Sequence, residues 1–174
     1  MWKFIKGISK GNKLATHSSK ICMDIINFLI RNGYDVRMPD TAAIFKESYS
    51  LCLFISMRPN QNPDIFGSMI VQANSILQDW LVKVFKSSYQ GYDFVDAVKG
   101  VIDSLPGYSD AWISDLTKNN QDKMGQSLDQ WVPAAVSHFI INVEHWADIR
   151  FGHSPKNFAP TITAIIVDHI RQMQ

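Results

Sequence analysis

The sequence predicts a mainly α-helical, compact bundle of six or seven helices. Along most of the chain, apolar side chains recur every three or four residues, the spacing of one helix face. Hydrophobic residues make up 46% of the 174 residues and charged residues 19%, which is typical of a globular chain long enough to bury a core. We therefore predict a single helical domain over residues 1–174, in which residues 1–13 form a basic amphipathic segment.

The first 23 residues carry five lysines and no acidic residue. Within them, residues 2–8 can form a short basic amphipathic helix. A longer helix is predicted to begin at Ser18 or Ser19, since serine is a good N-cap. It should end at Asn32-Gly33, because glycine readily adopts the positive φ of a helix C-cap.

The segment from Tyr34 to Met57 fits two interpretations. Residues 34–38 and 49–57 alternate in the manner of strands, so they could pair as a two-stranded ribbon in an α+β fold. Residues 41–57 also fit one buried helix, capped by Asp40 or Thr41. We favour the helix, because a lone two-stranded ribbon is only marginally stable.

The third helix has the clearest signals in the chain. Asn62 is a suitable N-cap, Pro63 suits the first helical position, and an apolar stripe runs over residues 63–86. A further helix is predicted from Asp93 to the Pro106-Gly107 pair, followed by a short helix from Ser109 and a polar loop over 118–125.

Two more helices complete the predicted bundle. One runs from Trp131 to Arg150 and is broken by Gly152, and the last occupies about 157–173. The longest apolar stripes lie in 63–86, 132–149 and 157–173. We therefore expect these three helices to pack against one another and form the core.

Composition and motifs argue against several functional classes. A net charge of +1 gives no global positive field for specific nucleic-acid binding, and no apolar run is long enough for a transmembrane segment. No metal or cofactor is predicted, since neither a Cys-x-x-Cys pair nor a His-Glu-x-x-His or phosphate-binding loop occurs. Cys22 and Cys52, set among apolar neighbours, are predicted to be buried free thiols, which favours a reducing, cytoplasmic environment.

One cluster of residues has the composition of a chemical site. His138 and His145 fall on one line of the predicted helix beside its apolar stripe, and acidic and basic side chains follow within two turns. The candidate catalytic residues are His145, Asp148, Arg150 and His153. His17 is predicted to start a helix, and His169 to be structural.

Two functional hypotheses follow. The first is a protein–protein interaction module: an adaptor, a chaperone-like accessory protein, an inhibitor or an immunity protein. Candidate partner-binding residues are Trp2, Trp112 and Trp131, for a protein partner or for self-association. The alternative is a small hydrolase or nuclease that uses the histidine cluster at 138–153. Contact with anionic surfaces is expected to be weak at most, through Lys3, Lys6, Lys10 and Lys13.

Overall fold

Six helices and no strand occur in the part of the chain that the structure, a computed structural model, describes: residues 2–57, 62–85, 91–118 and 128–173. The mainly α prediction is confirmed, and the two-stranded ribbon is wrong. The helices are α1 (Trp2–Arg31), α2 (Met38–Met57), α3 (Pro63–Phe85), α4 (Gly91–Lys118), α5 (Leu128–Phe151) and α6 (Phe158–Met173). None of the described helices is long and apolar enough to cross a bilayer.

Helix α1 is continuous from residue 2 to residue 31, so the predicted start at Ser18 or Ser19 is wrong. Ser18 is buried inside the helix, and its hydroxyl donates to the carbonyl of Leu14 at 2.7 Å. The predicted end is confirmed. Gly33 has φ 84°, and the amide of Tyr34 donates back to the carbonyl of Leu29 at 3.1 Å.

Helix α2 confirms the helical interpretation of 41–57 and begins three residues earlier, at Met38. Asp40 does not cap from outside the helix; its carboxylate accepts the amide of Arg37 at 2.8 Å, in the manner of a capping box. Residues 48–53 are all buried. A helix segment that is buried on every side has no polar face, so its sequence lacks the amphipathic helical repeat. The alternation of side chains that remains in the sequence resembles that of a strand.

Helix α3 begins as the sequence predicts. The side-chain oxygen of Asn62 accepts the amides of Asp64 and Ile65 at 3.1 and 3.4 Å, and Pro63 occupies the first helical position.

Helix α4 runs through the Pro106-Gly107 pair, so the predicted stop there and the separate helix from Ser109 are wrong. Pro106 is exposed, and in the next turn Tyr108 is completely buried. Burial of this ring in the core offsets the hydrogen bond that a helical proline removes. The predicted loop over 118–125 lies outside the described residues except for Lys118, which ends α4.

Helix α1 forms the centre of the bundle, with α2, α3 and α6 packed around it, while α2 also contacts α4 and α5. The predicted core, with 63–86 packed on 132–149 and 157–173, is wrong, because α3 packs mainly on α1. The two run parallel: Lys3, Gly7 and Gly11 of α1 lie beside Asp64, Ser68 and Gln72 of α3 in the same order. Cys22 and Cys52 are buried and unpaired, as predicted.

Candidate functional site

Arg150, one of the four predicted catalytic residues, is bound to a buried carboxylate. Its Nε lies 2.7 Å from Oδ1 of Asp40, a residue that is only 3% exposed. The pair joins the end of α5 to the start of α2. An arginine held in this way stabilises the helix packing, because the buried carboxylate would otherwise lack its counter-charge.

The other members of the predicted set do not gather around His145. His153 follows Gly152 and lies against Tyr34, with 5.7 Å between the ring centroids. Asp148 is exposed, and no ion pair joins it to His145 in the described part of the chain. His145 lines a pocket between α2, α4 and α5, to which Asp148, Arg150 and His153 do not contribute. The catalytic assignment therefore stays a prediction.

A partly buried polar network lies close to His145 and connects three helices. Its centre is Glu47 of α2, whose Oε2 accepts the hydroxyl of Tyr108 and the amide of Asn142, each at 3.1 Å. The Asn142 amide nitrogen also lies 3.2 Å from Nε2 of His138. Since an amide nitrogen only donates, Nε2 of His138 is the acceptor, and the neutral imidazole carries its proton on Nδ1.

Burial sets the protonation states in this network. It lowers the pKa of His138, and the nearby carboxylates of Glu47 and Asp110 only partly offset the effect. It also raises the pKa of Tyr108 well above the usual value, and the negative charge of Glu47 adds to the shift. The network therefore holds a neutral phenol and favours a neutral imidazole around one carboxylate.

The network forms one wall of an open pocket of about 470 Å³ between α2, α4 and α5. The pocket is lined by Ala43, Lys46, Glu47, Asp103, Ser104, Gly107, His138, Asn142, His145, Trp146 and Ile149. Gly107 leaves room for the imidazole: a Cβ there would stand 3.0 Å from Nε2 of His138, so the ring would have to shift by a few tenths of an ångström. The pocket thus has polar side chains from all three helices and an apolar edge formed by Trp146 and Ile149 of α5.

The charge around the pocket is mostly acidic. The ammonium of Lys46 is 3.3 Å from the carboxylate of Glu47, so these two charges largely compensate. Asp103 is exposed at the rim, and Asp110 acts on His138 through its charge. The two aspartates are seven residues apart and fall on the same side of α4. A cationic group entering the pocket therefore meets the carboxylate of Asp103, which makes no ion pair with any residue that the structure describes.

His138 and His145, predicted to share one line of α5, both line the pocket, with Asn142 between them. Glu47, Tyr108 and Gly107, which come from other helices, were not predicted. One signal was present: the chain has only two glutamates, and Glu47 directly precedes the buried stretch 48–53 of a mostly apolar helix. A carboxylate in such a position requires polar partners.

A second pair of histidines, His17 and His169, is buried between α1 and α6. His17 lies in the middle of α1, so the prediction that it starts a helix is wrong. Nδ1 of His17 is 3.1 Å from Nδ1 of His169, whose Nε2 is 3.1 Å from the carboxylate of Asp24. Because the carboxylate only accepts, His169 donates from Nε2, and its neutral form accepts the proton of His17. His169 is buried, consistent with a structural role.

The predicted partner-binding tryptophans fall into two groups. The side chain of Trp2 is 78% exposed. Trp112 lies in α4 and Trp131 in α5, but their side chains are outside what the structure describes. No group of three or more metal-binding side chains occurs among the described residues.

Comparison of the chain with protein-family models, with curated proteins and with solved structures finds no match. The geometry described above is therefore the basis for a functional proposal.

Proposed function

We propose that the protein is a protein–protein interaction module and that the pocket between α2, α4 and α5 receives a basic side chain of its partner. The observation that carries this proposal is the pocket itself, about 470 Å³ in volume and open at the surface. Its lining combines the carboxylate of Asp103 with the apolar edge formed by Trp146 and Ile149. Such a pocket suits a side chain with an apolar stem and a cationic end.

An apolar ridge beside the pocket supports a protein partner. Ile141 and Ile149 on α5 are 63% and 73% exposed, with His145 between them. At spacings of four residues these three side chains line one face of the helix. Two isoleucines at such exposure favour a surface that another protein covers. A partner helix that lies along this ridge can place an arginine or lysine in the pocket.

The state of the polar network also favours binding over catalysis. Glu47 already accepts two hydrogen bonds on one oxygen and lies 3.3 Å from Lys46 on the other. Nε2 of His138 is occupied by Asn142. Groups satisfied in this way position helices, whereas a general base needs a free nitrogen or oxygen facing its substrate.

The alternative, a small hydrolase or nuclease, is supported by the fact that His138 and His145 line the same pocket. In that case His145, which is exposed, is the side chain available for proton transfer. Replacing His145 with glutamine would abolish hydrolysis of a phosphodiester or ester substrate, and a wild-type protein without such hydrolysis would contradict this alternative.

The proposal is tested with synthetic amphipathic peptides that carry one central arginine between leucines at helical spacing. Binding to the full chain is measured by calorimetry. The matched ligand has citrulline in place of arginine, which keeps the shape and removes the charge. We expect the citrulline peptide to bind about fivefold more weakly, the upper end for a partly exposed charge pair.

Matched variants locate the binding surface. D103N should weaken the arginine peptide about fivefold, whereas D79N, an exposed aspartate on α3, should leave binding unchanged. I149S should weaken binding about tenfold through lost apolar contact. V71S, at an equally exposed site on α3, should not. Equal binding of the arginine and citrulline peptides, or equal effects of D103N and D79N, would contradict the proposal.

A further inference from the structure

The first turns of α1 carry three large apolar side chains that the rest of the protein does not cover. Trp2, Phe4 and Ile5 are 78%, 59% and 52% exposed. We call residues 2–5 the α1 tip. We propose that the α1 tip and the lysines behind it bind the surface of a bilayer that contains anionic phospholipid. This inference is independent of the pocket on α2, α4 and α5.

The directions of the three side chains favour a fluid partner. Successive residues of a helix project about 100° apart, so Trp2, Phe4 and Ile5 emerge over roughly 160° of the helix circumference. This arc is wider than the apolar stripe of about 100° with which a surface helix typically packs against protein. The interfacial region of a bilayer surrounds an inserted tip and can bury all three side chains.

The α1 tip is held in a fixed position. Behind it, Gly7 and Gly11 pack directly on α3: a Cβ at Gly7 would lie 2.5 Å from the Cβ of Ser68, and one at Gly11 2.6 Å from the carbonyl oxygen of Met69. This contact fixes the direction of α1 relative to the bundle. The tip is therefore presented as formed helix, and binding requires no folding of a disordered segment.

The charge beside the α1 tip complements lipid phosphate. Lys3, Lys6, Lys10 and Lys13 accompany it, and no acidic residue occurs in α1 before Asp24. Lys3 is 3.3 Å from Asp64, but both side chains are well exposed and such a pair is weak. The other three lysines make no ion pair within the described ranges.

Lys6, Lys10 and Lys13 occupy one face of α1 at spacings of four and three residues. Partial burial lowers the pKa of Lys10, and the charges of Lys6 and Lys13 lower it further. The three cations therefore interact with one another and lack a protein counter-charge. A surface of anionic headgroups supplies that counter-charge while the apolar side chains enter the interface. This goes beyond the weak contact expected from the sequence, because the structure leaves the α1 tip uncovered.

The experiment is co-sedimentation of the full chain with vesicles at about 0.15 M salt, where long-range attraction between exposed charges is largely screened. One set of vesicles is phosphatidylcholine alone, and the other contains one-third phosphatidylserine. We expect binding to the anionic vesicles and at least about tenfold less to the neutral ones. The tryptophan emission should shift to shorter wavelength on binding, and W2F should remove most of that shift.

Two sets of variants test the two parts of the surface. The triple change W2S/F4S/I5S should abolish binding, whereas V71S/V82S/I102S, at exposed apolar sites elsewhere, should not. K6Q/K10Q/K13Q should weaken binding by about fivefold per lysine, and K83Q/K99Q/K156Q, at exposed lysines elsewhere, should leave it unchanged. All replaced tip side chains are exposed, and circular dichroism verifies that each variant stays folded.

Three results would overturn the proposal. The first is equal affinity for neutral and anionic vesicles. The second is that the protein binds anionic vesicles and duplex DNA alike and that this binding requires the lysines but not the α1 tip. Such binding is electrostatic attraction alone. The third is self-association in sedimentation velocity that W2S/F4S/I5S removes, in a protein that does not bind the vesicles.

Discussion

Individual buried polar residues determine much of how this bundle is held together. Glu47 connects α2 to Tyr108 of α4 and to Asn142 of α5, and Asp40 connects α2 to Arg150. On the other side of the molecule, His17 and His169 connect α1 to α6. Each of these groups has a partner, so removing one member costs a buried or partly buried group one of its hydrogen bonds.

The stability of the protein should depend strongly on Glu47. E47A removes the carboxylate that accepts the Tyr108 hydroxyl and one proton of the Asn142 amide. The hydroxyl keeps only the backbone carbonyl of residue 47, at 3.4 Å, and the amide keeps only His138. We therefore expect a loss of about 1–3 kcal/mol in the free energy of unfolding. The control is E144A, the only other glutamate, whose single hydrogen bond, from Ser154, is long at 3.5 Å. We expect E144A to cost less than about 1 kcal/mol. Urea melts measure both values, and equal losses would show that the network does not stabilise the fold.

The buried His17 and the half-buried His138 should make the fold sensitive to acid. Burial lowers the pKa of His17 and of His138, and for His17 the charges of His169, Lys20 and Lys13 act in the same direction, against Asp168. The unfolded chain therefore takes up protons first, at about pH 6.5. Stability should be full above that pH and should fall as the pH drops through the folded-state pKa values.

Thermal melts between pH 8 and pH 5 check this prediction, and histidine ring resonances followed by NMR identify the groups. H17Q/H138Q should reduce the slope. Carboxyl groups begin to protonate mainly below about pH 5, so they do not account for a loss at pH 6. A melting temperature that stays constant down to pH 5.5, or His17 and His138 resonances that titrate above pH 6.5, would contradict the assignment.

At the scale of helices, the sequence was informative where a local signal exists. The caps at Asn62 and Gly33 and the apolar stripe of α3 correctly predicted an element and its boundary. Pro106 led to the wrong prediction that the helix ends there. Whether a proline ends a helix depends on how firmly the residues after it are packed, and the burial of Tyr108 is a property of the folded chain. The sequence could not show that Gly7 and Gly11 pack on α3, since two glycines four residues apart do not identify the helix that faces them.

The part of the candidate site on α5 could be predicted because its residues share one helix. Glu47 and Tyr108 come from other helices and join them only in the folded chain.

The contact between α1 and α3 should not tolerate a methyl group. G11A places a Cβ 2.6 Å from the backbone carbonyl of Met69, which cannot move without shifting α3. We expect a loss of about 1–3 kcal/mol, as for other overpacked sites. Gly67, also helical, has nothing within 4 Å of an added Cβ. G67A should therefore stabilise the protein by about 0.5–1 kcal/mol. Equal signs for the two variants would show that α1 and α3 are not in close contact.

At the scale of the whole molecule, the two surfaces proposed to bind partners are separate. The pocket lies between α2, α4 and α5, where the nearby charge is mainly acidic, and the α1 tip extends beside α3 with its lysines. The sequence contains the same segregation: seven aspartates but only three lysines occur over residues 93–129, and five lysines without an acid over 1–23. Such a distribution allows a partner to be oriented by charge.

The central claim is that the pocket binds a basic side chain of a protein partner. The most direct measurement is an NMR titration of the full, isotope-labelled chain with the arginine peptide, followed by the citrulline peptide. The account predicts amide shifts concentrated at Lys46, Asp103, His145 and Ile149, with much smaller shifts for citrulline. Shifts centred on α1 and α3, the same shifts with both peptides, or none at millimolar peptide would contradict it.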